Sequence, residues 1–154
     1  PPRLLLLLDG RNIMRSRPGG GKSRSAPSGM PPEENSRLLR AAYDWLIANG
    51  PRGTTIKVYL YENLQERMEK DASLRGLEDS IEWTPSRADV DVFLLRCASQ
   101  APADTHALIV TNDNFDDHRG KEFGGVVVDA EWLKAHTVKF MFSSDSAFLL
   151  SELP

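Results

Sequence analysis

Several carboxylates stand directly after apolar segments, where a fold would gather them. Asp9 follows the apolar run 4–8, Asp89 and Asp91 follow a short segment ending near Thr84, and Asp113 follows the apolar run 106–111, with Asp116 and Asp117 just beyond. Like charges a few ångströms apart repel strongly unless a cation or a proton sits between them. A set of hard oxygen ligands suits Mg2+ or Mn2+, which prefer carboxylate and water to sulfur or imidazole. Such a centre is equipped for phosphodiester hydrolysis: the cation polarises the phosphoryl oxygen, lowers the pKa of a water and stabilises the leaving oxygen. Asn12, shortly after Asp9, is neutral and suited to orienting a water or a phosphate oxygen. Each aspartate also has a structural alternative. Asp9 before Gly10 can be read as a turn residue alone, Asp89 and Asp91 as caps or dipole partners of the helix they open, and Asp113, Asp116 and Asp117 as caps. Their joint position after three strands favours the metal reading over any one aspartate taken alone.

The elements that must position these residues follow from periodicity. Run 4–8 is continuously apolar, as in a parallel strand buried on both faces. Segment 33–49 carries apolar residues at Leu38, Leu39, Ala42, Leu46 and Ile47, with acids at its start and Gly50-Pro51 at its end, which predicts an amphipathic helix. A strand is expected over 55–61, a short helix over 63–72, a strand over 81–84 and a second helix over 90–99. Further strands are expected over 106–111, 126–128 and 138–142, with a helix over 130–136. Strands alternating with helices indicate an α/β fold with a doubly wound parallel sheet, whose sites lie beyond the carboxyl ends of the strands. The Gly-, Pro- and Ser-rich segment 16–32 reads as a long mobile loop within a single domain spanning 1–154.

A net charge of −3 argues against coating nucleic acid by bulk electrostatics. Residues 1–40 nevertheless sum to +5 and the remainder to −8, so a basic margin is expected to face an acidic centre. The only cysteine, Cys97, permits neither an internal disulfide nor a cysteine-based zinc site, and points to a reducing intracellular location without resolving cytoplasm, nucleus or mitochondrion. Run 4–8 is far short of the roughly 20 residues of a membrane span. The opening Pro1-Pro2 suggests a segment of a longer protein. GGGKS at 19–23 superficially resembles a phosphate-binding loop, but Ser16 stands where its first glycine belongs and the loop begins too far from its strand. Among the aromatics, Tyr61, Trp83 and Phe115 lie near strand ends where a base could stack, whereas Trp45 and Trp132 have core spacing. His106, His118 and His136 lack metal-ligand spacing, and only His118 is close enough to the acidic edge to protonate a leaving group.

Four segments together resemble the NYN branch of the PIN-like ribonucleases, and within it the Regnase-type proteins. LLLLLDGRNIM at 4–14 is similar to an apolar strand ending in Asp-Gly-x-Asn, WTPSR at 83–87 to a Thr-Pro-Ser-Arg strand end, DVFLLRCA at 91–98 to an acidic helix start, and ALIVTNDNFDDH at 107–118 to a strand followed by Asn-Asp, an aromatic and a second Asp. The resemblance covers 4–142. It implies a PIN-like (NYN) three-layer α/β/α domain with a mostly parallel central sheet. It further implies that Asp9, Asp91, Asp113 and Asp117 form the acidic site with Asn12 in support, and that Mg2+- or Mn2+-dependent endonucleolytic cutting of single-stranded or stem-loop RNA is the activity. Arg11, Arg15, Arg17, Lys22, Arg24, Arg87 and Phe115 are then the candidate RNA contacts. Here Val90 separates two aspartates that the family often places side by side, the basic stretch between Thr-Pro-Ser-Arg and the helix is nearly absent, and no cysteine-histidine zinc finger occurs. Substrate grip is accordingly expected to move to the Gly-Arg loop. The alternatives are an inactive PIN-like module for RNA binding or protein interaction within a larger assembly, through regions outside this chain, and phosphoryl chemistry on a small molecule. Oligomeric state is left open by the sequence.

Overall fold

A computed structural model describes residues 2–19 and 34–153. The elements run β1 (Arg3–Asp9), α1 (Gly10–Met14), α2 (Ser36–Asn49), β2 (Thr55–Tyr61), α3 (Gln65–Glu69), β3 (Ile81–Thr84), α4 (Val90–Ser99), β4 (Thr105–Val110), β5 (Glu122–Phe123), β6 (Val126–Val127), α5 (Ala130–His136), β7 (Thr137–Val138), β8 (Phe140–Phe142) and β9 (Phe148–Leu150). Five strands form one parallel sheet in the order β3-β2-β1-β4-β7.

The apolar run of β1 is explained by its place at the centre of this sheet. Leu4, Leu6 and Leu8 enter a core with α1, α2 and the hairpin β8-β9, while Leu5 and Leu7 enter a second core with α4 and Leu133 of α5. A strand covered on both faces has no polar side, so alternation disappears. The expected α/β fold and three-layer arrangement are therefore present, and register aligns the strand ends: Asp9 lies beside Tyr59, Leu8 beside Val110, and Tyr61 beside Thr84.

Three boundaries differ from the sequence expectation. The first long helix starts at Ser36 with Asn35 as its cap, leaving Glu34 ahead of it; Glu33 lies outside the described residues. The helix expected over 63–72 shortens to α3 between 3-10 turns, because its polar residues bring few apolar anchors. The strand expected over 138–142 divides: β7 ends the parallel sheet, and β8 turns away after Lys139 to pair antiparallel with β9. Likewise β6 pairs with β5 in a separate hairpin. Lys22, Arg24 and most of the expected 16–32 loop lie outside the described residues. Among the described residues, no helix is long and apolar enough to cross a membrane.

Candidate metal centre

The strand order reverses direction at β1: the chain proceeds outward through β2 to β3, then crosses to β4 on the other side of β1. In open α/β sheets the crevice at such a switch point, beyond the carboxyl ends, is where ligands bind. Asp9 closes β1 on one side of this crevice, and Thr111, Asn112 and Asp113 follow β4 on the other.

Asp9 is 5% exposed and caps α1, its Oδ1 accepting the Asn12 N–H at 3.3 Å. Gly10 must be glycine for space: a Cβ there would lie 2.5 Å from Leu60 Cδ2 and 2.9 Å from the Tyr59 carbonyl. The hydroxyl of buried Thr111 donates to Asp9 Oδ2 at 3.1 Å and accepts the Asp113 N–H at 3.1 Å, tying the two strand ends together. Asn12 Oδ1 accepts the Asn112 N–H at 2.9 Å, making a second tie across the switch point. This commits the Asn12 side-chain oxygen to the backbone, so that a role as water or phosphate guide would fall to its amide NH2.

Asp113 ends in an Asx turn rather than capping a helix, its Oδ1 accepting the Phe115 N–H at 2.7 Å. Lys139 holds this turn from below, donating to the carbonyls of Asn112 and Asp113 at 3.2 and 3.0 Å and to Asn114 Oδ1 at 2.8 Å. Its ammonium is lowered in pKa, chiefly by burial. Neither Thr111 nor Lys139 was singled out from sequence; the Thr-Asn-Asp triplet after a strand was a signal for the first, whereas nothing local marks a lysine 26 residues away.

Asp91 stands in the first turn of α4, behind the cap residue Asp89, whose Oδ1 accepts the Asp91 N–H at 2.9 Å. Burial, then the charges of Asp113 and Asp9, a hydrogen bond with Asp113 and the charge of Asp89 push the Asp91 carboxyl up to about 8. Burial likewise pushes Asp9 up to about 6, with Asp113 adding to the rise against the lowering hydrogen bonds from Asn12 and Thr111 and the charge of Arg11. These are the marks of carboxylates gathered at a cost that a cation relieves. Asp89 also accepts from His118 Nε2 at 2.8 Å, and ligand atoms of Asp89, Asp91 and His118 all lie within 4.8 Å of one another. Spacing along the chain hid this grouping, because His118 reaches Asp89 across 29 residues. Hard oxygen donors dominate the whole set, so an oxygen-preferring divalent cation fits it.

The remaining candidates divide. Asp117 is exposed and, among the described residues, makes no side-chain hydrogen bond or ion pair; it is not among the groups that raise Asp9 or Asp91. Phe115 requires a correction: its ring is 1% exposed in the core under α4, its backbone at φ 54°, so it has no face to offer a base. Tyr61 is half-buried with Arg11 over its ring, and Trp83 packs against the core. Arg11 and Arg15 lie on and just after α1, and Arg17 and Arg87 are exposed.

The chain matches the family model described as Zc3h12a-like Ribonuclease NYN domain over residues 3–154. Two structures of nuclear protein-only RNase P 2 from Arabidopsis thaliana superpose on it with TM-scores of 0.63 and 0.67 at 18% identity, covering 96% and 97% of this chain. In each case the chain spans 29% of the matched protein's length, and identity this low attests the fold alone. No curated protein matches it.

Proposed function

Because the chain belongs to the Zc3h12a-like ribonuclease NYN domain family, we propose that it is an Mg2+- or Mn2+-dependent endoribonuclease acting on single-stranded or loop RNA. The observation that carries this reading is the meeting of Asp9 and Asp113 through the Thr111 hydroxyl at the switch point of the sheet, with Asp91 beside Asp113 and both Asp9 and Asp91 raised in pKa. Asp9, Asp91 and Asp113 would hold the cation. When bound, it would polarise the phosphoryl oxygen, activate water and stabilise the leaving oxygen.

The chain's own residues supply the frame for that chemistry. Thr111 fixes the orientation of Asp9, and Lys139 fixes the turn that presents Asp113. Asn12 spans the crevice with its NH2 available for a phosphate or water oxygen. Asp89 keeps the His118 ring at the acidic edge, where an imidazole can pass a proton to a departing oxygen. Asp117, exposed and immediately before His118, is proposed as a further acidic contributor. Arg11, Arg15, Arg17 and Arg87, with Lys22 and Arg24, are the proposed RNA contacts.

The domain is tested by incubation with a labelled RNA containing a stem-loop and single-stranded arms, in Mn2+, in Mg2+ and in EDTA. Internal cuts that require the metal and stop in EDTA are expected. A folded protein that cuts with neither metal contradicts the reading and favours a module that binds RNA or protein without cutting.

A further inference from the structure

Three arginines converge on one carboxylate beside the candidate centre. Glu34 contacts Arg11 Nε at 3.5 Å, Arg15 at 3.4 Å and Arg67 at 3.1 Å, with its own side chain only 11% exposed. Among the described residues, one carboxylate against three guanidiniums leaves a surplus of two positive charges. The Nε atoms of Arg11 and Arg15 are buried and make no hydrogen bond among the described residues, although Arg11 Nε is ion-paired with Glu34. A surplus of guanidinium next to a ring is disproportionate for anchoring one glutamate. The Arg11 guanidinium lies 5.4 Å from the centroid of the Tyr61 ring, which fixes its plane.

The location gives the cluster its meaning. Arg11 lies on α1 and Arg15 just after it, the helix being capped by Asp9, and Arg67 comes from α3, after the carboxyl end of β2. The cluster therefore lies on the β2 flank of the same sheet edge, while Asp91 and Asp113 approach from α4 and β4. Arg11 already acts on Asp9 electrostatically. Guanidinium forks match phosphate oxygens in geometry and charge.

We propose that Arg11, Arg15 and Arg67, organised by Glu34 and Tyr61, form a subsite for a backbone phosphate of the bound RNA, next to the one under attack. This rests on the ribonuclease reading, and it adds Arg67, Glu34 and Tyr61 to the contacts expected from sequence. Arg67 is the rim member, 61% exposed on its side chain, so replacing it leaves the core intact.

The test measures binding of a fluorescent single-stranded RNA to Arg67→Ala and Arg52→Ala proteins across a series of salt concentrations, in an Asp113→Asn background, together with cleavage kinetics in the otherwise native chain. Arg52 is an exposed arginine in the turn before β2, at the opposite edge of the sheet. Loss of one phosphate contact makes the log Kd against log salt plot shallower by about 0.7. The expected result is that Arg67→Ala shows this change, with KM raised about threefold or more and kcat nearly unchanged, that Arg67→Lys recovers part of it, and that Arg52→Ala shows neither effect. Equal effects from Arg67→Ala and Arg52→Ala would mean diffuse attraction and overturn the subsite, as would unchanged binding and KM in Arg67→Ala. Arg67-dependent binding by a protein that cuts nothing would support the subsite while refuting the nuclease reading. Normal cutting with unchanged KM in Arg67→Ala would do the reverse.

Discussion

Asp91 concentrates the electrostatic cost of the site. Its carboxyl is pushed up to about 8 from the ordinary 3.8 by burial and by Asp113 and Asp9. A carboxyl whose folded pKa exceeds its unfolded value gives stability that is fully present below about pH 4 and lost as pH rises through about 8. In chelator, the melting temperature is therefore expected to fall between pH 5 and pH 8, Mn2+ at pH 8 should restore it, and Asp91→Asn should flatten the pH dependence and remove most of the metal effect. A chelated protein whose melting temperature is level or rises across that range would show that Asp91 is ionised without cost. Residue by residue, the sequence displayed which acids follow strands but not what they touch. The Asp-Gly, Thr-Asn-Asp and Asp-x-Asp signals located Asp9, Asp113 and Asp91, whereas the His118–Asp89 bond and the Lys139 contacts join segments 25 or more residues apart.

At the scale of elements, the junction of β1 and α1 governs the geometry of the crevice. Gly10 lets α1 start against β2 with the Asp9 side chain turned back as its cap. Gly10→Ala would place a methyl 2.5 Å from Leu60 Cδ2 and 2.9 Å from a backbone carbonyl, which must shift. Overpacking of this kind costs about 1–3 kcal/mol, and since the displaced segment carries Asp9 and Asn12, cleavage should fall more steeply than stability. Urea unfolding and a turnover assay on the same preparation check this; a stable protein with native activity would show that the junction has slack. The long apolar elements were legible because β1, β4 and α2 carry their own periodicity. The hairpin β8-β9 was not, since Phe148 and Leu150 offer no local pattern, and Phe148 meets Phe140, Phe142 and Trp45 only once the chain is folded. The break at Lys139 was hidden for the same reason: its ammonium turns toward the Asp113 loop, a tertiary partner that interrupts an otherwise continuous apolar strand.

Over the whole molecule, a net charge of −3 conceals opposed halves, +5 over residues 1–40 and −8 beyond them. In the fold, Arg11 and Arg15, with Arg67 from the acidic part of the chain, flank the crevice on the β2 side, and Asp91 and Asp113 stand on α4 and after β4. On the proposed reading, such an arrangement would draw a phosphate backbone toward a centre that would repel it without a cation. The order of charges along the chain does not show that Arg67, from the acidic part, joins the basic flank, nor that Glu34, placed by sequence in the first turn of α2, instead stands ahead of that helix and gathers three arginines. The most direct measurement compares the native chain with Asp113→Asn for both cleavage and binding of one single-stranded RNA in Mn2+. Cleavage should fall by at least about a hundredfold, the scale of losing a main electrostatic partner of the transition state, with binding kept within a few fold and the fold unchanged. Cleavage by Asp113→Asn at the native rate would place the chemistry elsewhere than the crevice between β1 and β4.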